Sequence, residues 1–397
     1  MSAPIEIADG VYCVGVKDWN VRNFHGYTTA RGTSYNSYLL LDEKTVLVDT
    51  VKSGFAGELL ENVSAVVAPS KIDLVISNHA EPDHSGSLPA VMAAAPRAAV
   101  VATARGKDAL ERYYAGAWRF NVVKTGDEVE TGKRTLRFIA TPMLHWPDSM
   151  FTYSPDDRLL FSMDAFGQHL AASGYFERDA APGVVMDEAK KYYANILMHL
   201  GGQVAKALRE LEGLAVETIA PAHGLVWRER AGEIIEMYRG WAEGKRAAKV
   251  LVVYDTMWGS TGAMAQAIAD GAARSGVDVR LIALAVNDLT DIATEVLDAG
   301  AVAVGSPTLN NRMMPNVAAF LTYVGGLKPR GKIGAAFGSH GWRGGGAKEV
   351  DEALENTSIE RVREPLTCVY APDAGVLDSC RALGASLAEG ALSRSAE

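Results

Sequence analysis

The stretch Asp73-Leu74-Val75-Ile76-Ser77-Asn78-His79-Ala80-Glu81-Pro82-Asp83-His84 sets a short apolar run directly before a loop rich in imidazoles and carboxylates. Such a run, bounded by polar residues, reads as a buried strand. The loop that leaves it carries His79, Glu81, Asp83 and His84, four potential ligands within six residues. Imidazole and carboxylate together suit iron, manganese or zinc, and a strand end can hold such a loop rigidly while leaving the site open. A polar surface loop can show the same spacing by chance, so other residues must decide it.

Further candidates stand at the ends of later apolar runs. His145 follows LRFIATPML, Asp164 follows RLLFSM, and His223 closes Thr218-Ile219-Ala220-Pro221-Ala222. Singly, each is more simply a hydrogen-bonded histidine or a turn aspartate; together they form a ligand set distributed over strand ends.

A chain of 397 residues is long for one core and suits two domains. Hydrophobic residues at 48% and charged residues at 22% fit a soluble globular protein. A net charge of -9 without a basic run argues against nucleic acid and anionic membranes as partners. Neither a basic-apolar leader nor an apolar run of membrane-spanning length is present, and Cys13, Cys368 and Cys380 include no CxxC pair. A reducing, cytoplasmic setting is the expectation.

Up to about Gly240 the chain reads as strands with polar loops: Ser37 to Asp49, Ile72 to Ser77, Leu136 to Ala140, Leu159 to Met163 and Thr218 to Ala220. Helical spacing enters late, between Asp187 and Leu211. The polar stretch Ala242 to Ala248 then marks a boundary, giving domains 1–245 and 246–397. Beyond it strand and helix alternate regularly from Lys249 to Leu387, five of each, which implies a doubly wound parallel sheet.

In that second half three loops lie at carboxyl ends of strands, where open α/β sheets bind ligands. The first, Thr256, Met257, Trp258, Gly259, Ser260, Thr261, Gly262, opens a helix with hydroxyls and glycines and suits phosphate. The second holds Ser306, Pro307, Thr308, Leu309 and Asn310; the third holds Ser339, His340, Gly341, Trp342 and Gly344. Trp342 can stack on a flat ring. The lysine of a nucleotide-triphosphate loop and the GxGxxG dinucleotide fingerprint are both missing.

The first half resembles the metallo-β-lactamase superfamily, an αββα sandwich with HxHxDH followed by histidine, aspartate and histidine at strand ends. Glu81 replaces the second histidine of the zinc pattern, which shifts the expected metal toward iron and is the mark of the flavodiiron family. The three later loops, in order, resemble flavodoxin and imply FMN. The flavodiiron resemblance covers nearly the whole chain. It implies one iron on His79, Glu81 and His145, another on Asp83, His84 and His223, and Asp164 bridging them. It further implies reduction of dioxygen to water, with nitric oxide reduction to nitrous oxide as the alternative. A zinc hydrolase of the metallo-β-lactamase superfamily is the second alternative, disfavoured by Glu81 and by the flavodoxin-like half. His25 and Tyr27 are expected near the metals as proton-supplying groups. A separate electron donor, rubredoxin by resemblance, follows from the scattered cysteines, which cannot build that module's iron site. The resemblance also implies a head-to-tail homodimer, or a dimer of such dimers.

Overall fold

The computed structural model describes residues 3–396 and divides into two compact units. One comprises the described residues up to Tyr193 together with Gly202–Arg239; the other comprises Ala194–Gly201 and the residues from Gly240 onward. Each is an α/β unit with its own cores.

The first unit contains two sheets face to face. The seven-stranded sheet runs in the order Ile5–Ala8, Val11–Cys13, Tyr38–Leu40, Thr45–Val48, Ile72–Ile76, Ala99–Ala102, Phe120–Val122. The five-stranded one runs Glu128–Glu130, Thr135–Ala140, Met150–Ser154, Leu159–Met163, Thr218–Pro221. Side-chain alternation sorts residues between faces. Val46, Val48, Leu74 and Ile76 join Phe138, Met150 and Phe161 between the sheets. Leu47, Val75 and Val100 point the other way, onto Leu59, Val63, Val91 and Leu110 of covering helices. Behind the smaller sheet, Pro182–Tyr192 buries Val185 and Ala189, and Tyr238 of Ala231–Glu243 packs on Phe166 with ring centroids 4.5 Å apart.

Two sequence expectations need correction here. Helices do not enter late: Ala56–Val66, Leu88–Ala94 and Ala104–Tyr113 all precede Asp187. The first carries Leu59, Leu60 and Val63 at helical spacing, a signal overlooked, while Leu88–Ala94 is apolar nearly all round and offers no polar contrast to read. The run Ser37 to Asp49 is not one strand but the antiparallel pair Tyr38–Leu40 and Thr45–Val48, broken by the polar turn at Asp42, Glu43 and Lys44.

The second unit is a parallel sheet in the order Asp278–Ala283, Lys249–Tyr254, Ala301–Gly305, Ile333–His340, with Glu360–Arg361 and Leu366–Val369 both pairing to the last. The final strand is thus split, its first piece too short and too polar to register as a strand in sequence. Helices Ser260–Ala273, Leu289–Asp298, Pro315–Leu327, Gly346–Asn356 and Ala374–Ser395 follow the strands. Strand order reverses between Lys249–Tyr254 and Ala301–Gly305, the switch point at which such sheets take ligands. Among the described residues no helix is long and apolar enough to cross a membrane.

Candidate metal centre and flavin cleft

The ligand candidates come from separate strand ends. His79 and Glu81 leave Ile72–Ile76; Asp83 and His84 sit on the single helical turn Pro82–Ser85, started by its proline. His145 precedes Met150–Ser154, Asp164 follows Leu159–Met163, and His223 follows Thr218–Pro221. They converge as two groups, His79, Glu81, His145 and Asp164, and Asp83, His84 and His223.

Asp164 faces both groups. Its Oδ2 lies 3.2 Å from His145 Nε2 and 3.5 Å from His79 Nε2. Its Oδ1 lies 3.1 Å from His84 Nε2 and 3.5 Å from His223 Nε2. Glu81 Oε2 is 3.2 Å from His79 Nε2 and 3.1 Å from His145 Nε2, and Asp83 Oδ2 is 3.3 Å from His84 Nε2 and 3.2 Å from His223 Nε2. Ligand atoms about 2.1 Å from a shared ion stand about 3.0 Å apart at a right angle and about 3.4 Å apart at a tetrahedral angle. The spacing therefore has room for one ion in each group. Asp83 Oδ1, both Asp164 oxygens and both His84 nitrogens are buried and make no hydrogen bond among the described residues. Burying such groups unsatisfied is costly, and a cation removes that cost.

The charges say the same. Burial alone would lower His79, but hydrogen bonds to Asp148 and Glu81 reverse this and push it up to about 10. Burial opposes charge on His84 and His145 as well, yet the neighbouring carboxylates raise them to about 9 and about 10. Burial raises Glu81 and Asp164, and the facing imidazoles outweigh it, leaving both well below the usual carboxylate range. A raised proton affinity on His79, His84 and His145 marks a site that favours positive charge, and metal ions would displace those protons.

Supporting contacts fix the ligands. Asp49, buried and at φ 56, accepts from the Asn78 amide at 2.7 Å and from its side chain at 2.9 Å, while Thr152 donates to Asn78 Oδ1 at 2.7 Å. Asp148 accepts from His79 Nδ1 at 3.2 Å, and the Ser34 carbonyl accepts from His223 Nδ1 at 2.7 Å. Both bonds put the proton on Nδ1 and leave Nε2 free to bind a cation. Sequence reading missed Asp148, Asp49 and Ser34, because nothing local separates them from ordinary loop residues.

His25 and Gly26, at φ 55 and 85, form the two-residue turn of the hairpin Asn23–Phe24 and Tyr27–Thr28. This exposes His25 and brings its Nε2 to 3.5 Å from Glu81 Oε1. Tyr27 is buried with its ring 4.9 Å from His169. His169 in turn lies 4.8 Å from the His223 ring and bonds through Nδ1 to Thr33 Oγ1 at 2.8 Å. Burial, reinforced by His223, holds His169 well below its usual range, so it is neutral.

In the second unit the three loops surround a cleft of about 730 Å³, within the usual range for small-molecule sites. Met257, Trp258, Ser260, Pro307, Thr308, Leu309, Asn310, Ser339, His340, Gly341 and Trp342 line it as the sequence suggested. Asn311 and Arg343, of the same second and third loops, also line it, as do Tyr370 and Ala371, which lie outside the three loops and were not foreseen. Five expected residues are set back from the lining. Thr261 bonds to Ser339 Oγ at 2.9 Å, and Ser306 Oγ accepts from the Met314 amide at 2.8 Å. Thr256 Oγ1 accepts from the Gly259 amide at 3.2 Å, and a Cβ on Gly344 would stand 3.5 Å from the His340 ring. Gly259, at φ 87, occupies the start of Ser260–Ala273 and provides no capping side chain there, which suits a phosphate at that helix end. Trp258 and Trp342 are over nine-tenths exposed, broad aromatic faces at the rim.

The family described as ODP family beta lactamase matches residues 33–224, and flavodoxin matches residues 252–384. A nitric oxide reductase of Moorella thermoacetica is 48% identical, over 98% of this chain and 99% of that protein. The crystal structure of the flavodiiron protein from Giardia intestinalis superposes with a TM-score of 0.97 at 38% identity, covering 100% of this chain and 98% of the other. The chain belongs to the flavodiiron protein family. Rubredoxin oxygen:oxidoreductase from Desulfovibrio gigas is likewise similar, with TM-score 0.96 and 38% identity over 99% of this chain and 100% of that one. This flavodiiron protein is an oxidoreductase, with FMN and a non-haem diiron centre as its cofactors.

Proposed function

We propose that this flavodiiron protein reduces dioxygen to water at a diiron centre supplied with electrons by FMN. His79, Glu81 and His145 would hold one iron, Asp83, His84 and His223 the other, and Asp164 would bridge them. The observation that carries this reading is Asp164, whose two oxygens each face a different ligand group at 3.1 to 3.5 Å. Held by these residues, two irons would supply the site for reducing a small gas and FMN would supply the electrons. The protein's own part is to hold charge and deliver protons. Glu81, Asp83 and Asp164 offset most of the charge of two ferrous ions in a buried site. His25, exposed on its hairpin turn and 3.5 Å from Glu81, is placed to bring protons from solvent, with Tyr27 behind it.

The FMN phosphate is assigned to the turn Thr256–Thr261 and the ring to the cleft beside Trp342, supported by the uncapped helix start and by the aromatic rim. Nitric oxide reduction is the second reading, favoured by the name of the Moorella relative. Steady-state rates with each gas, on protein replete in iron and FMN, decide between them: the proposal requires the higher kcat/KM with dioxygen, and a higher value with nitric oxide reverses the assignment.

A separate protein donates the electrons, and we take it to be rubredoxin: reduced rubredoxin should reduce the flavin rapidly, and NADH alone should not. A head-to-tail homodimer is proposed as the working assembly. Mixing His84→Ala protein with flavin-depleted protein should restore activity on subunit exchange if electrons cross between chains. The three cysteines are buried and form no disulfide, which supports a cytoplasmic setting. We place the boundary between the metal and flavin domains between residues 245 and 246, a few residues beyond Gly240, where the second compact unit resumes.

A further inference from the structure

The two ligand groups match in kind: each has two histidines and one carboxylate of its own, plus one oxygen of Asp164. They differ in what stands behind the histidines. Asp148 is 4% exposed and sits in the loop between His145 and Met150–Ser154. Its Oδ2 accepts from His79 Nδ1 at 3.2 Å and from the Ala80 amide at 2.6 Å. Its carbonyl accepts from Thr103 Oγ1 at 2.9 Å, and Thr103 itself caps the helix Ala104–Tyr113. One residue thus ties the loop carrying His145 to the loop carrying His79 and Glu81, and anchors both to a helix start. In the second group His223 leans on a neutral carbonyl, and buried His84 Nδ1 has no hydrogen-bond partner among the described residues.

We infer that Asp148 is a positioning residue that makes the two metal positions unequal, so that the position formed by His79, Glu81 and His145 binds ferrous iron more tightly than that formed by Asp83, His84 and His223. This rests on the metal assignment proposed above. A carboxylate behind a ligating imidazole fixes its tautomer and orientation and raises its basicity, and losing such a partner costs roughly 10- to 100-fold in affinity. His84 can present Nε2 to an ion only with its proton on Nδ1, where a buried N–H without an acceptor is unfavourable. His145, 20% exposed, is the ligand a chelator reaches most easily, so release rates would mix access with affinity. The inference concerns affinity, and an equilibrium measurement tests it.

The full-length protein is dialysed anaerobically against chelator-buffered ferrous iron, and iron per chain is measured across the series. Two binding steps are expected. Crystals grown at one iron per chain should show anomalous difference density at His79, Glu81 and His145. Asp148→Asn, which keeps an acceptor for the Ala80 amide but removes the charge, should weaken the tighter step by roughly 10- to 100-fold and leave FMN content unchanged. Density at Asp83, His84 and His223 instead, or equal density at both, overturns the inference even if the variant fails to fold. So does a variant with both steps unchanged or both weakened alike. Failure of the wild type to take up any iron would overturn the metal assignment itself.

Discussion

Asp164→Ala tests the metal assignment at its most exposed point. Glu81, Asp83 and Asp164 oppose the four positive charges of two ferrous ions, leaving a net charge of about one in a buried site; without Asp164 that excess doubles. At an effective dielectric constant near 20, unit charges 4 Å apart interact by about 4 kcal/mol, and Asp164 stands closer than that to both ligand groups. Desolvation offsets part of this, and breaking a buried charge pair by removing one member costs about 3–5 kcal/mol. Iron affinity should therefore fall by roughly 10²- to 10⁴-fold. Metal analysis of anaerobically purified protein should find the variant nearly iron-free, while flavin released on denaturation stays at the wild-type level. Wild-type iron content with undiminished turnover would refute the bridging role.

Three other outcomes are expected. Trp342→Ala should weaken FMN retention by about 1 kcal/mol, roughly fivefold, through lost ring contact, with iron content unchanged; fluorescence titration of the apoflavin protein checks this. Glu81→His restores the zinc pattern and should shift the metal taken up from mixed iron and zinc toward zinc, and unchanged iron selectivity would show that Glu81 does not set it. Phe138→Ala, at a fully buried position between the two sheets, should destabilise the first unit by about 3–5 kcal/mol, read as a lower unfolding midpoint in denaturant; a loss below about 1 kcal/mol would contradict that packing.

The cluster of histidines and carboxylates was legible because its side chains follow apolar strands, and strands ending at one edge of a sandwich bring distant residues together. His79 to His84 announce themselves within one loop, whereas His145, Asp164 and His223 gained meaning as a set and through the family resemblance. Asp148 was not legible: its role depends on a contact with His79 across 69 positions, and an aspartate in a loop has no local signature. In the second unit the strand-helix alternation gave the sheet readily. Tyr370 and Ala371 escaped because cleft lining depends on loop shape rather than residue type. Thr261 and Ser306, chosen for their hydroxyls, spend those hydroxyls holding loops together. Of the early helices, Leu88–Ala94 is too continuously apolar and Ala104–Tyr113 has too few apolar residues to show a period, whereas Ala56–Val66 shows one that was overlooked.

Counting electrons tests whether FMN and the diiron centre act together on dioxygen. Fully reduced, FMN carries two electrons and two ferrous irons carry one each, so one chain holds the four needed to take dioxygen to water. Iron- and FMN-replete protein, reduced without air, should be mixed with limiting dioxygen while flavin oxidation, oxygen and peroxide are followed. One dioxygen should be consumed per four electrons with no peroxide, and oxidation should become slow and peroxide-forming once the iron is removed. Peroxide as the main product of the replete protein, or the same rate and product with and without iron, would contradict it.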